Sequence, residues 1–115
     1  MKTKLRVGVI GAGRWSASAH LPGFTRSPHS EIVAICDLDA ELAEKRAREF
    51  GIPDVLTDAE KLLSRSDLDV VDIVTRGDHQ DLVFRALDAG KHVLVEKPVC
   101  HDYRDVIRAH EIAQK

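Results

Sequence analysis

The chain has 115 residues, 43% of them hydrophobic and 31% charged, which is enough apolar material for one core and too little length for two. A formal net charge of −2, a pI near 6.3 and scattered lysines and arginines leave no electrostatic footprint for nucleic acid or an anionic membrane. Met1-Lys2-Thr3-Lys4 is followed by an apolar stretch that is short and broken by Arg6 and glycines, so neither a signal peptide nor a membrane span is expected, and the chain reads as cytoplasmic.

In chain order, Leu5 to Ile10 reads as a strand that opens directly into Gly11-Ala12-Gly13-Arg14-Trp15-Ser16. At the end of a parallel strand the chain must turn sharply, and Gly11 can take the positive φ that residues with a Cβ avoid. Gly13 leaves no side chain in front of the backbone, so the first amides of a helix from Trp15 to about Phe24 can point at phosphate oxygens. The third small position of G-x-G-x-x-G is Ser16, a slightly weaker match than glycine. By itself such a loop can serve geometry only. The next strand, Glu31 to Cys36, ends in Asp37, where a dinucleotide fold places the acid that grips the adenosine ribose.

That acid bears on cofactor choice. A carboxylate placed for a ribose 2′-hydroxyl would lie against the 2′-phosphate of NADP, and two unit charges about 4 Å apart repel by roughly 1 kcal/mol in water and about 4 at an effective dielectric of 20. Leu38 follows, and no Arg or Lys appears before Lys45, so NAD is expected over NADP. Asp39 suits the cap of a helix from about Ala40 to Phe50.

Beyond it a short strand is expected near Val55-Leu56. Thr57-Asp58-Ala59-Glu60 has the form of a capping box for a short helix through Leu63. Val70 to Val74 reads as a strand, Asp81 to Ala89 as a helix and His92 to Val95 as a strand. Asp102 then caps a last helix with Val106, Ile107, His110 and Ala113 near one face. Apolar runs without clean alternation indicate strands covered on both faces, and β-α-β spacing demands parallel pairing. The expected fold is α/β, a doubly wound parallel sheet of the Rossmann kind with strand order 3-2-1-4-5. Ligands bind such sheets outside the carboxyl ends of the strands. Cys36 and Cys100 lie too far from any other cysteine for zinc or a disulfide scaffold to be expected, and Cys36 reads as a small buried hydrophobe. The six histidines form no ligating pairs, so no metal is expected.

Taken together, Gly11-Ala12-Gly13-Arg14-Trp15, His20-Leu21-Pro22, Cys36-Asp37, Thr75 with His79, and Ala89 to Pro98 resemble the amino-terminal half of the Gfo/Idh/MocA oxidoreductases. Within them Gly90-Lys91-His92-Val93 followed by Glu96-Lys97-Pro98 is far more specific than the glycine loop. The resemblance implies hydride transfer between a nicotinamide and a hydroxyl carbon of a sugar, cyclitol or similar polyol. It implies that Lys97 meets the reacting oxygen, as proton acceptor or as hydrogen-bond donor, that Glu96 borders the nicotinamide ribose and that Pro98 fixes the chain direction. Candidate cofactor contacts are then Gly11, Ala12, Gly13, Arg14, Trp15, Asp37, Leu38, Thr75, Arg76, His79, Glu96 and Pro98.

Relatives commonly have a proline after the threonine, whereas Thr75-Arg76-Gly77-Asp78-His79 lacks it and is one residue shorter. Arg76 can serve a phosphate, a substrate carboxylate or nothing, and His79 can border the cofactor or simply begin a helix. Family members continue into an α/β domain that supplies the substrate pocket and usually the oligomer interface, and the sequence ends within the helix that would lead there. The chain alone is therefore expected to bind NAD with little or no turnover, with a second domain or partner chain to complete it. The alternatives are a non-catalytic NAD(H)-sensing or partner-subunit module and a nucleotide-binding domain without nicotinamide. Glu96-Lys97-Pro98 argues against the last.

Overall fold

The computed structural model describes residues 4–75, 79–97, 100 and 102–115. Five parallel strands form one sheet in the order β3-β2-β1-β4-β5. They are β1 (Leu5–Ile10), β2 (Ser30–Cys36), β3 (Asp54–Leu56), β4 (Val70–Ile73) and β5 (His92–Val95). The expected doubly wound topology is the observed one. Strand order reverses between β1 and β4, which opens a crevice at their carboxyl ends.

Alternation along the strands, broken in β2 by a bulge at Val33 where the register with β1 shifts, divides the apolar residues between two faces. Val7 and Val9 of β1 pack with Ile32 and Ile35 of β2 against Leu21 of α1 (Leu21–Arg26) and Ala43 and Ala47 of α2 (Ala40–Phe50). Ile10, Val71 and Ile73 point the other way, toward Leu62 and Leu63 of α3 (Ala59–Leu63), Val83 and Ala86 of α4 (Gln80–Asp88) and Ala109 of α5 (Tyr103–Ala113). Gly8 sits where Leu62 and Leu68 close over the sheet: a Cβ there would stand 2.7 Å from Leu68 Cδ1 and 3.1 Å from Leu62 Cδ2.

Helix ends follow their capping residues. Asp39 accepts from the Leu42 N–H at the start of α2, and Gly51, at φ 68°, ends it in the left-handed conformation. The α3 cap is Asp58, which accepts from the Glu60 N–H, rather than Thr57, so the expected capping box is not formed as written. Asp58 takes the cap position next to the first turn, leaving Thr57 at the edge of the sheet's crevice.

Two further expectations are corrected. The first helix runs past Phe24 to Arg26 and contains a π-helical turn, Ser16–His20, which widens the helix just before α1. In α5 the inward residue is Ala109, while Val106 and Ile107 are 43% and 53% exposed. Ala109 joins Val83 and Ala86 of α4 in the buried cluster, and the exposed Arg108 guanidinium lies 4.8 Å from the Phe84 ring centre of α4. The Gly-Lys-His signature has a structural role at the opposite end of β5 from the crevice. Gly90 (φ 77°) ends α4, and the Lys91 ammonium donates to the carbonyls of Arg65 and Leu68 at 2.6 and 3.1 Å.

Candidate functional site

The loop between β1 and the first helix is held by backbone geometry. Gly11 has φ 121°, and a Cβ there would lie 2.8 Å from both the carbonyl carbon and oxygen of Val74 and 3.1 Å from the Thr75 nitrogen. Its N–H donates to the Cys36 carbonyl at 2.8 Å, tying the loop to β2. Gly13 differs: nothing lies within 4 Å of where its Cβ would be, so the loop presents bare backbone to the crevice. Between them the buried Ala12 peptide is clamped on both sides. Its N–H donates to Asp37 Oδ2 at 2.8 Å, and its carbonyl accepts from Arg46 Nε of α2 at 2.8 Å. Asp37 Oδ1 accepts the Asp39 N–H at 2.9 Å, so the carboxylate is fixed through both oxygens while each keeps accepting capacity.

A cavity of about 520 Å³ opens here, bringing together Gly11, Gly13, Asp37, Leu38, Leu42 and Thr75. Leu38 is almost fully exposed at its mouth. Burial pushes the Cys36 thiol beneath it up to about 11, with the Asp37 and Asp58 charges adding to the effect, so it is an inert lining group as expected. Two hydroxyls at this edge, Ser16 Oγ and Thr75 Oγ1, are buried without a hydrogen-bond partner among the described residues. Orphaned donors beside a bare glycine backbone and a helix start suit a group rich in acceptor oxygens, and the adjoining apolar cavity suits a heterocycle. The residues present therefore fit a dinucleotide.

The second strand end meets the first through side chains. Trp15, 58% exposed, donates its indole N–H to Glu96 Oε1 at 2.6 Å. The same oxygen lies 2.6 Å from His20 Nε2, and His20 Nδ1 lies 2.8 Å from both oxygens of Asp72 in the middle of β4. Asp72 is wholly buried, and burial pushes its carboxyl up to about 6 against the opposing pull of His20. Burial of His20 opposes its charge, but the hydrogen bond to Glu96 and the Asp72 carboxylate outweigh it and hold the imidazole above its ordinary value. Glu96 is held below the usual carboxylate range by its hydrogen bonds from His20 and Trp15. Lys97 follows, exposed.

Of the other candidates, Arg14 is exposed at the first helical turn. His79 is buried at the start of α4 with Nε2 2.6 Å from the Thr75 carbonyl, so its ring braces the β4 end. Arg76 and Pro98 lie outside the described residues. His20, Asp72 and Arg46 were not among the expected site residues. An aspartate inside the apolar run Val70 to Val74 was the available signal, because a buried carboxyl requires a partner.

A glycine turn at the switch point of a parallel sheet, a bare backbone facing a cavity and an acid at the end of the second strand define a dinucleotide-binding domain. Residues 5–115 match the family model GFO_IDH_MocA, described as an oxidoreductase family with an NAD-binding Rossmann fold. The chain belongs to this family. It is 38% identical over 112 residues to a dTDP-3,4-didehydro-2,6-dideoxy-alpha-D-glucose 3-reductase of Streptomyces violaceoruber, covering 96% of this chain and 32% of that protein. It is 35% identical over 109 residues to inositol 2-dehydrogenase 4 of Saccharopolyspora erythraea, covering 94% of this chain and 32% of the relative. A crystal structure of KijD10, a 3-ketoreductase from Actinomadura kijaniata, with NADP superimposes with a TM-score of 0.91 at 33% identity, covering 96% of this chain and 36% of that one. The chain thus spans about a third of the length of the curated relatives it matches.

Proposed function

We propose that residues 1–115 are a single dinucleotide-binding domain of an oxidoreductase acting on a hydroxyl carbon of a sugar, cyclitol or similar polyol. The observation that carries this reading is the pairing of the open Gly13 backbone with the Glu96-Lys97 strand end, joined through Trp15. The amides following Gly13 hold the pyrophosphate, with Arg14 beside them. Asp37 accepts from the adenosine ribose, and Leu38 and Thr75 line the cavity. Trp15 and Glu96 border the nicotinamide riboside, and His79 braces the wall formed by Thr75. Bound there, a nicotinamide supplies reversible hydride transfer. Lys97 Nζ then takes the alcohol proton during oxidation, or donates a hydrogen bond to the oxygen as negative charge develops on it.

The same geometry favours NAD. The Asp37 carboxylate is pinned by two N–H groups and cannot swing away from a 2′-phosphate, while the Arg46 guanidinium is engaged with Ala12 and Glu49. NADP in the KijD10 structure makes this preference a point for direct measurement.

The uncovered sheet face beside β5 supports a further part of the reading. Leu94 is 47% exposed there, on a groove it shares with Leu5, Phe24 and Val95. A second domain or partner chain covers this groove and closes over Lys97. Without that cover, substrate is not positioned or shielded from water, and turnover is low. The second reading is an NAD(H)-sensing or partner-subunit module with no chemistry of its own; Lys97 favours the first, since a module that only senses needs no proton-transfer group.

The test is titration of the chain with NADH and NADPH, followed by Trp15 fluorescence. Saturable quenching with NADH the tighter ligand supports the reading; no saturable response to either ligand overturns it. Detectable polyol oxidation only after a larger partner is added separates the enzymatic reading from the sensing one.

A further inference from the structure

The Asp72-His20-Glu96 cluster has a proton count that restricts its state. Each imidazole nitrogen faces a carboxylate: Nδ1 stands 2.8 Å from both Asp72 oxygens and Nε2 stands 2.6 Å from Glu96 Oε1. A neutral imidazole has one N–H and would turn a lone pair toward one of those carboxylates. Both contacts are attractive only when both ring nitrogens carry hydrogen, or when one carboxyl is itself protonated. The cluster is therefore built to hold two protons. The charged and titratable groups facing His20 among the described residues are Asp72 from β4, Glu96 beyond β5 and, along the adjoining groove, His29 before β2.

The three partners differ in mobility. Asp72 is fully buried and fixed in the central sheet, and the His20 side chain is 10% exposed on the π-helical turn, whereas the Glu96 side chain is 28% exposed and can leave. Loss of one proton thus has one mechanical outcome: the imidazole keeps its hydrogen on the Asp72 side, and Glu96 is released from the Nε2 lone pair. Trp15, bonded to the same Glu96 oxygen, loses its fixed partner at the same time.

We propose that His20 is a positioning residue whose doubly protonated imidazole holds the Glu96 carboxylate, and with it Trp15, in place for the nicotinamide end of the dinucleotide. This makes grip on that end dependent on pH while grip on the adenosine end is not. The inference rests on the reading of the two strand ends as one cofactor site. It also explains why a buried acid is kept in the central sheet, since Asp72 holds the histidine in its charged form. The raised values of both Asp72 and His20 agree with a cluster that retains its protons.

The experiment compares NADH with ADP, which carries the adenosine and pyrophosphate but no nicotinamide. Dissociation constants for both are measured by calorimetry between pH 7 and 9.5 for the natural chain and for His20→Gln. For the natural chain, NADH affinity is expected to fall at least about fivefold across this range, within the limit of roughly tenfold per pH unit for one coupled proton. ADP affinity stays level, and His20→Gln binds NADH more weakly with a flat profile. Parallel profiles for NADH and ADP overturn the inference, as does a His20→Gln chain that keeps the natural pH dependence. If neither ligand binds at any pH, the proposed function fails and the inference with it; if both bind with parallel profiles, only the inference fails. Should His20→Gln not fold, the NADH and ADP comparison on the natural chain decides the matter without it.

Discussion

Alanine at Gly11 and alanine at Gly13 should have opposite consequences although the residues are two apart. At Gly11 the new Cβ meets backbone atoms of Val74 at 2.8 Å and must be carried at φ 121°, which L residues rarely adopt. Strained backbone costs about 1–3 kcal/mol and overpacking a further 1–3, so a loss of roughly 2–6 kcal/mol is expected. With an unfolding entropy of about 2.1 cal/mol/K per residue, a chain of 115 residues shifts by about 4 °C per kcal/mol, giving a fall in Tm of roughly 8–24 °C. At Gly13 the Cβ meets nothing and φ is not positive, so Gly13→Ala should match or slightly exceed the natural Tm. Its methyl instead projects into the space reserved for pyrophosphate, and NADH affinity should fall at least about tenfold, which is 1.4 kcal/mol. Calorimetric unfolding and NADH titration of both variants provide the test. A Gly13→Ala chain that binds NADH normally would refute the assignment of that backbone to the phosphates, and an unchanged Tm for Gly11→Ala would refute the steric argument.

Other expectations follow from the same contacts. Arg46→Met leaves the buried Ala12 carbonyl without its donor, so stability should drop by about 1–3 kcal/mol and NADH binding should weaken; normal values for both would remove Arg46 from the loop's support. Asp37→Asn removes the charge facing a 2′-phosphate and should narrow the NADH over NADPH preference by about tenfold or more, measured as the ratio of the two dissociation constants. The pH dependence of Tm tests the buried cluster. Asp72 titrates higher in the folded chain than in the unfolded one, so it lowers stability as pH rises from about 4 to about 6. The His20 contribution is complete below 6.5 and is lost as pH rises through its raised folded value. Glu96 and Asp102 act oppositely, contributing above the ordinary carboxylate range and losing that contribution in acid. Tm should therefore decline from pH 6.5 to 9.5, and less steeply in Asp72→Asn; parallel profiles would contradict the assignment.

The legible parts of this molecule are those fixed within a few residues of chain. Gly11 announces its turn through the strand before it and the helix after it, and Asp39 announces its cap because the first-turn amides lie within reach. Strand order followed from β-α-β spacing, which leaves few right-handed parallel arrangements. The less legible parts depend on distant partners. His20 meets Asp72 across 52 positions and Glu96 across 76, and Arg46 reaches Ala12 across 34. A composition reading treats each as an ordinary polar residue. The last helix differs for another reason: its pattern allows two neighbouring faces, and the more apolar one, with Val106 and Ile107, is not the one buried against α4. The Ala109 face packs with Val83 and Ala86 of α4, a partner that the helix's own pattern does not reveal.

The central claim, that these residues bind a nicotinamide dinucleotide on their own, is tested most directly by calorimetric titration of the chain with NADH at pH 7, paired with thermal unfolding. The expected result is a saturable isotherm with one site per chain and, at about 100 times the dissociation constant, stabilisation of about 2.7 kcal/mol, or roughly 10 °C in Tm. A flat isotherm with NADH and NADPH alike, together with an unmoved Tm, would contradict it.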